Sequence, residues 1–184
     1  MALNEDNKEN KSLKIVLLGG VRTGKSTYVM KIKGNKVDKN LEYIPTIGAA
    51  YYSSHMHFEK KNFQLDFWDH SGQEKFYPLI RYVIKNADIL FFFYNSYDIS
   101  SFETVKKMIE TCKQNVSNNP IFALIRSRYD ECLENNDNKN IVSDEEALEY
   151  ADLNNLYYAH LSNFEKNDTG FNELLENALK NFIN

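Results

Sequence analysis

The stretch "LLGGVRTGKSTYVM" (residues 17–30) sets the tightest limit on what this chain can fold into. Gly19, Gly24, Lys25 and Ser26 stand at the spacing G-x-x-x-x-G-K-[ST]. The apolar run "LKIVLLG" (13–19) precedes them, and a helix is expected from Lys25 to the Gly34-Asn35 breaker. That pattern suits phosphate groups. Glycines let the backbone bend until successive N–H groups point inward, and the following helix adds free N-terminal donors and the positive end of its dipole. Lys25 would neutralise the β- and γ-phosphates, and Ser26 would offer its hydroxyl to Mg²⁺. Gly19, Gly20, Val21, Arg22, Thr23, Gly24, Lys25, Ser26 and Thr27 together form the expected cradle. The plainer alternative is a Gly-rich strand–helix turn that leaves Lys25 in water.

The rest of the chain alternates strand-length apolar runs with helical periodicity. "YYSSHMHFEKKNFQLDFW" (51–68) reads as two strands joined at Lys60-Lys61-Asn62, with Phe63, Leu65 and Phe67 on one face of the second. "DILFFFYN" and "PIFALIRS" are buried-type strands. "SSFETVKKMIETCKQNV" places Phe102, Val105, Ile109 and Cys112 on one helical stripe, with Ser100 or Ser101 as cap and Glu103 in the first turn. "SDEEALEYADLN" opens with the capping pair Ser143 and Glu146, and "FNELLENALKNFI" carries Phe171, Leu174, Leu175, Ala178 and Leu179 on one stripe. "ENNDNKN" (134–140) is expected as a surface loop. Such alternation implies a mostly parallel sheet covered on both faces, with ligands at the carboxyl ends of its strands.

With 184 residues, 42% of them hydrophobic, the chain suits one domain over residues 13–184 behind a flexible polar tail at 1–12. A formal charge of −4 gives no basic stripe for a nucleic acid. Cys112 and Cys132 are too few for a disulfide framework, which points to a reducing, cytoplasmic setting. The opening residues lack the apolar core of a signal peptide. "ILFFFY" is far shorter than the ~20 residues of a spanning helix. The C-terminal "LKNFIN" has no cysteine for a lipid anchor.

"YIPTIGAAY" (43–51) before the expected hairpin and "WDHSGQEKF" (68–76) after it add two further motifs. With the glycine loop they resemble the Ras-like small GTPases, most closely the Rab group, whose chains read T-I-G and W-D-x-A-G-Q-E at these places. "YNSYDISSFETV" (94–105) is similar to the Rab stretch after the fourth strand, and the resemblance runs from Lys14 to Phe182. It implies a P-loop G domain of the α/β class, a mostly parallel six-stranded sheet with helices on both faces. It also implies a switch that binds GTP or GDP with Mg²⁺ and acts in vesicle traffic. On this resemblance, Thr46 brings its hydroxyl to Mg²⁺ and its N–H to the γ-phosphate. Asp69 steers Mg²⁺ through a water, Gly72 gives its N–H to the γ-phosphate, and Gln73 orients the attacking water. The metal set is then Ser26, Thr46 and Asp69, and the catalytic residue Gln73. Effectors, an exchange factor and an activating protein would dock on residues 36–50 and 69–87. Membranes would be reached through such partners.

Several positions depart from the family pattern. The guanine-reading N-K-x-D appears as Ser127-Arg128-Tyr129-Asp130. Asp130 keeps the carboxylate that selects guanine, Arg128 either lies over the base through its stem or is a solvated cation, and Ser127 is short for its task. S-A-K appears as Ser162-Asn163-Phe164, and Ser162 and Asn163 are the expected base contacts. In place of the first switch's aromatic ring stand Val37 or Lys39, a loss worth ~1 kcal/mol of nucleotide grip. Val21 crowds the attacking water, and Arg22 either touches phosphates or points to solvent. His70 either donates toward the γ-phosphate or is a partly exposed switch residue. His55 and His57 share a strand face and are expected as exposed residues rather than metal ligands. Tyr51 and Trp68 are either effector-facing aromatics or hairpin packing. Slow hydrolysis is the expectation; the alternative is a pseudo-GTPase scaffold with weak or no nucleotide cycling. A P-loop kinase gives Thr46 and "WDHSGQ" no role.

Overall fold

Six strands carry the architecture, in the order β2-β3-β1-β4-β5-β6. The computed structural model describes residues 10–34, 44–127, 141–161 and 169–183. The strands are β1 (Asn10–Leu18), β2 (Ala49–Phe58), β3 (Lys61–His70), β4 (Ile89–Asn95), β5 (Ile121–Ser127) and β6 (Tyr157–Leu161). Five α-helices lie among the described residues: α1 (Lys25–Ile32), α2 (Ile80–Val83), α3 (Ile99–Asn115), α4 (Asp144–Leu153) and α5 (Thr169–Lys180). A 3-10 helix at Glu74–Leu79 leads into α2. Only the β2–β3 hairpin is antiparallel.

Alternation along the central strands explains why both faces are covered. Leu13, Ile15 and Leu17 of β1 pack with Ile89, Phe91 and Phe93 of β4 under Tyr28 and Val29 of α1 and Leu174, Leu175, Ala178 and Leu179 of α5. Their neighbours Val16, Leu18, Leu90 and Phe92 face the other way, onto α2, α3 and α4. Period-two side chains that are apolar on both faces leave no wet side, so crossover helices must cover each. The expected α/β class is the observed one.

Four local details differ from the sequence expectation. β1 begins at Asn10, so residues 10–12 pair with Asn62, Phe63 and Gln64 of β3 instead of belonging to a tail. Ladder bonds need only backbone, which is why polar residues extend the strand. The hairpin turns one residue early, at Glu59 and Lys60, whose φ values of 45° and 69° suit a two-residue turn with both residues in the left-handed backbone region. The cap of α3 is Asp98 rather than Ser100 or Ser101: its carboxylate accepts from the Ser100 N–H at 3.0 Å. Ser101 instead donates to the Asp98 carbonyl at 2.6 Å. The helix therefore starts at Ile99, and Glu103 pairs with Lys106 beyond its first turn. The expected cap at Ser143 is present, its hydroxyl accepting from the Glu146 N–H at 3.1 Å. Residues 134–140 lie outside the described residues.

Candidate functional site

Where β1 meets α1, the backbone turns in ways only glycine permits. Gly19 has φ 141°, and a Cβ there would stand 2.2 Å from the Phe93 carbonyl oxygen at the end of β4. Gly24, at φ 88°, caps α1 with no side-chain bond, so no capping side chain covers the helix's first N–H groups. Between them Thr23 is buried and donates to the Gly20 carbonyl at 2.9 Å. Val21 and Arg22 are exposed, Arg22 in the left-handed region at φ 58°. Lys25 is not the exposed lysine of a plain turn. It is 5% exposed, and its ammonium donates to the carbonyls of Gly19 and Gly20 at 3.0 and 2.7 Å and to the Thr23 hydroxyl at 3.3 Å. Burial pulls its pKa down to about 8, against the nearby Asp69 charge that holds it up. Thr27 follows on α1, half-buried.

Three oxygens from distant parts of the chain meet beside this lysine. Ser26 Oγ, in the first turn of α1, donates to Asp69 Oδ2 at 2.6 Å, and Thr46 Oγ1 lies 3.1 Å from Ser26 Oγ and 3.3 Å from Asp69 Oδ2. Asp69, near the end of β3, is 1% exposed, and its Oδ1 is buried with no hydrogen-bond partner. Burial raises its carboxyl pKa, opposed by Ser26, Lys25 and Thr46. One carboxylate and two hydroxyls are hard oxygen donors. A partnerless buried carboxylate oxygen beside them fits a small divalent cation better than it fits the interior alone.

The segment leaving β3 presses on the glycine loop. A Cβ at Gly72 would stand 2.4 Å from the Gly20 carbonyl atoms and 2.5 Å from the Val21 nitrogen. The Ser71 N–H donates to the Gly48 carbonyl at 2.8 Å, tying this segment to the one that carries Thr46. Gln73 is half-buried and extended, its N–H on the Ser71 hydroxyl at 3.3 Å. His70 departs from both expectations. It is 1% exposed, its Nε2 is 3.1 Å from the Phe76 carbonyl, and burial lowers its pKa, so the ring is held neutral under the 3-10 turn. His55 and His57 are exposed, and no metal-binding group of three His, Cys, Asp or Glu exists among the described residues. Trp68 sits against Tyr51 across the hairpin, ring centroids 5.3 Å apart, and the Lys14 ammonium lies 5.1 Å over its ring. Ile44 and Ile47 are 80% and 82% exposed, and Tyr51, Leu79 and Tyr82 also face solvent.

On the base side the described residues stop at Ser127. Its hydroxyl donates to the Tyr94 carbonyl at 2.8 Å and the residue is fully buried. Arg128, Asp130, Ser162 and Asn163 lie outside the described residues, as do Val37 and Lys39. Sequence reasoning missed Arg126, which is 3% exposed in β5. The signal was a lone cation ending the apolar run "IFALI".

Comparison with known proteins adds the following. A family model described as "Ras family" matches residues 14–184. The chain is 31% identical over 163 residues to Ras-related protein Rab5A of Oryza sativa subsp. japonica, spanning 88% of this chain and 76% of that one. It is 29% identical over 172 residues to Ras-related protein Rab5 of Nicotiana tabacum (93% and 81%). It is 30% identical over 174 residues to Ras-related protein Rab-21 of Mus musculus (94% and 73%).

Proposed function

Because this chain belongs to the Ras family of small GTPases, we propose that it is a Rab-like switch that alternates between GTP and GDP, hydrolyses GTP slowly and recruits effectors in vesicle traffic. The meeting of Ser26, Thr46 and Asp69 beside the buried Lys25 carries the reading, because it joins the glycine loop to the two segments a switch must sense. In this reading the amides of the loop and of α1's first turn hold the phosphate chain, with Lys25 exchanging its carbonyl partners for phosphate oxygens. Ser26 and Thr46, with Asp69 acting through a water, would hold Mg²⁺, which would supply positive charge to the phosphate chain. Gly72 brings its N–H toward the γ-phosphate, and Gln73 orients the attacking water. Thr46 and Gly72 lose their reason to stay when the γ-phosphate leaves, which releases both segments. The family pattern assigns the guanine base to Asp130, with Arg128, Ser162 and Asn163 as its further partners. The apolar residues exposed at 44–47 and 79–82 form the surface offered to partners.

A specific observation favours a second reading, that of a pseudo-GTPase scaffold with weak or no nucleotide cycling. Ser127, already short for the place where the family carries asparagine, donates its hydroxyl to the Tyr94 carbonyl and is turned into the sheet. One experiment separates the two. One portion of the purified protein is denatured to identify any released nucleotide, and a second, folded portion is titrated with fluorescent GDP, GTP and ATP in the presence of Mg²⁺. Micromolar or tighter guanine binding with measurable single-turnover hydrolysis supports the switch. Binding without turnover, or no binding at all, supports the scaffold, and equal binding of guanine nucleotides and ATP refutes the switch.

A further inference from the structure

The two edges of the sheet are unlike. β6 closes one side with five residues, whereas β2 closes the other with ten, Ala49–Phe58. Among the described residues no strand lies outside β2. Long edges are normally blunted by charge, by proline or by a bulge, because their unpaired backbone groups offer a template to another chain. The strand "AAYYSSHMHF" contains no Asp, Glu, Lys, Arg or Pro, and its register with β3 runs unbroken through ten pairs. None of the three devices is present in it.

The inner side of β2 fixes which of its backbone groups point outward. The Ser71 N–H donates to the Gly48 carbonyl at 2.8 Å, and residues 48 and 71 continue the register of the hairpin, so they form a hydrogen-bonded pair. Such pairs alternate with non-hydrogen-bonded ones along an antiparallel ladder, which turns the even-numbered residues of β2 toward β3. Tyr51, Ser53, His55 and His57 therefore aim their N–H and carbonyl groups away from the sheet. Antiparallel pairing with the same strand of another copy, centred on Ser54, sets Tyr51 opposite His57 and Ser53 opposite His55, and each such pair closes two backbone bonds. The side chains agree with this register. On the face toward α1 and α5, Tyr52, Met56 and Phe58 are only half-buried against the core. The pairing brings Tyr52 onto Met56 and the large Phe58 onto the small Ala50, so each copy covers the other's apolar rim.

We propose that β2 is a self-association edge, on which a second copy of this chain pairs antiparallel about a two-fold axis at Ser54 and joins two six-stranded sheets into one. A second copy suits this edge because a strand without formal charge meets no like charge in itself, and because the contact is the same patch on both partners. The seam runs for about 30 Å along one pair of strands. That is small for an obligate dimer, so association is reversible and follows protein concentration. It needs no nucleotide.

Sedimentation velocity of the full chain from about 2 to about 300 µM is expected to show monomer passing into dimer, with a midpoint on the order of tens of micromolar. Ser53→Pro removes an outward N–H and leaves the bonds to β3 in place, so it is expected to raise that midpoint at least about tenfold. The register itself is read by cross-linking. Ser54 faces its own copy in a non-hydrogen-bonded pair, with about 4.5 Å between Cα atoms, which a disulfide can span. His57 stands about 20 Å along the seam from its counterpart, far beyond such reach. Cys112 is buried, so in a Cys132→Ser background Ser54→Cys is expected to form a covalent dimer under mild oxidation at least about tenfold faster than His57→Cys. A wild type that stays monomeric throughout, an unchanged midpoint in Ser53→Pro that circular dichroism shows to be folded, or equal cross-linking at the two positions overturns the inference. Should Ser53→Pro fail to fold, the cross-linking ratio decides alone.

Discussion

Lys25 offers a direct measure of whether the glycine loop encloses a charge. Its folded pKa of about 8 lies below its ordinary value of 10.5. Between these values the unfolded chain still holds the proton while the folded chain has released it. The unfolded state then binds more protons, and stability rises with pH across this window. At ~1.4 kcal/mol per pH unit, confining the ammonium costs the fold about 3 kcal/mol at neutral pH, a penalty relieved as pH climbs from 8 to 10.5. The comparison is urea unfolding of nucleotide-stripped wild type and Lys25→Met at half-unit steps from pH 7 to 10. The difference between the two curves cancels the other lysines, and it is expected to rise by about 2.5 kcal/mol over that range. Saturating GDP should flatten it, because phosphate oxygens favour the charged form. Parallel curves in the stripped proteins would refute the enclosure of the charge.

Gly72→Ala is expected to destabilise the fold by about 1–3 kcal/mol or to push the segment off the loop, since the backbone of Gly20 and Val21 cannot swing aside as a side chain does; thermal melting and GTP affinity read the two outcomes. Asp98→Ala should cost about 1 kcal/mol through loss of the α3 cap, measured by urea titration, whereas Ser100→Ala should cost less than half of that. Single-turnover hydrolysis by Gln73→Leu should fall at least about tenfold below wild type if this amide orients the water, and equal rates would remove it from the mechanism.

The parts legible in the sequence were those written in local pattern. Runs such as "LKIVLLG" and "ILFFFYN" announced strands buried on both faces, and the glycine spacing announced the loop. What escaped depended on contacts between distant segments. Nothing near residues 10–12 betrays that Lys11 and Ser12 pair with β3, because backbone supplies the bonds. "YYAHL" buries only Ala159 and Leu161, too little for an apolar run to mark β6. Asp98 outcompeted the two serines as cap because its carboxylate reaches forward to the Ser100 N–H. Arg126 looked like a strand end, and only Asp144, brought across by α4, makes its burial tolerable.

The chain's single tryptophan, Trp68, lies between the Tyr51 ring and the Lys14 ammonium, one residue before Asp69. Indole emission shifts in colour when a neighbouring cation moves. The protein therefore carries its own optical gauge of the hairpin's end, readable in a stopped-flow cuvette without any attached dye.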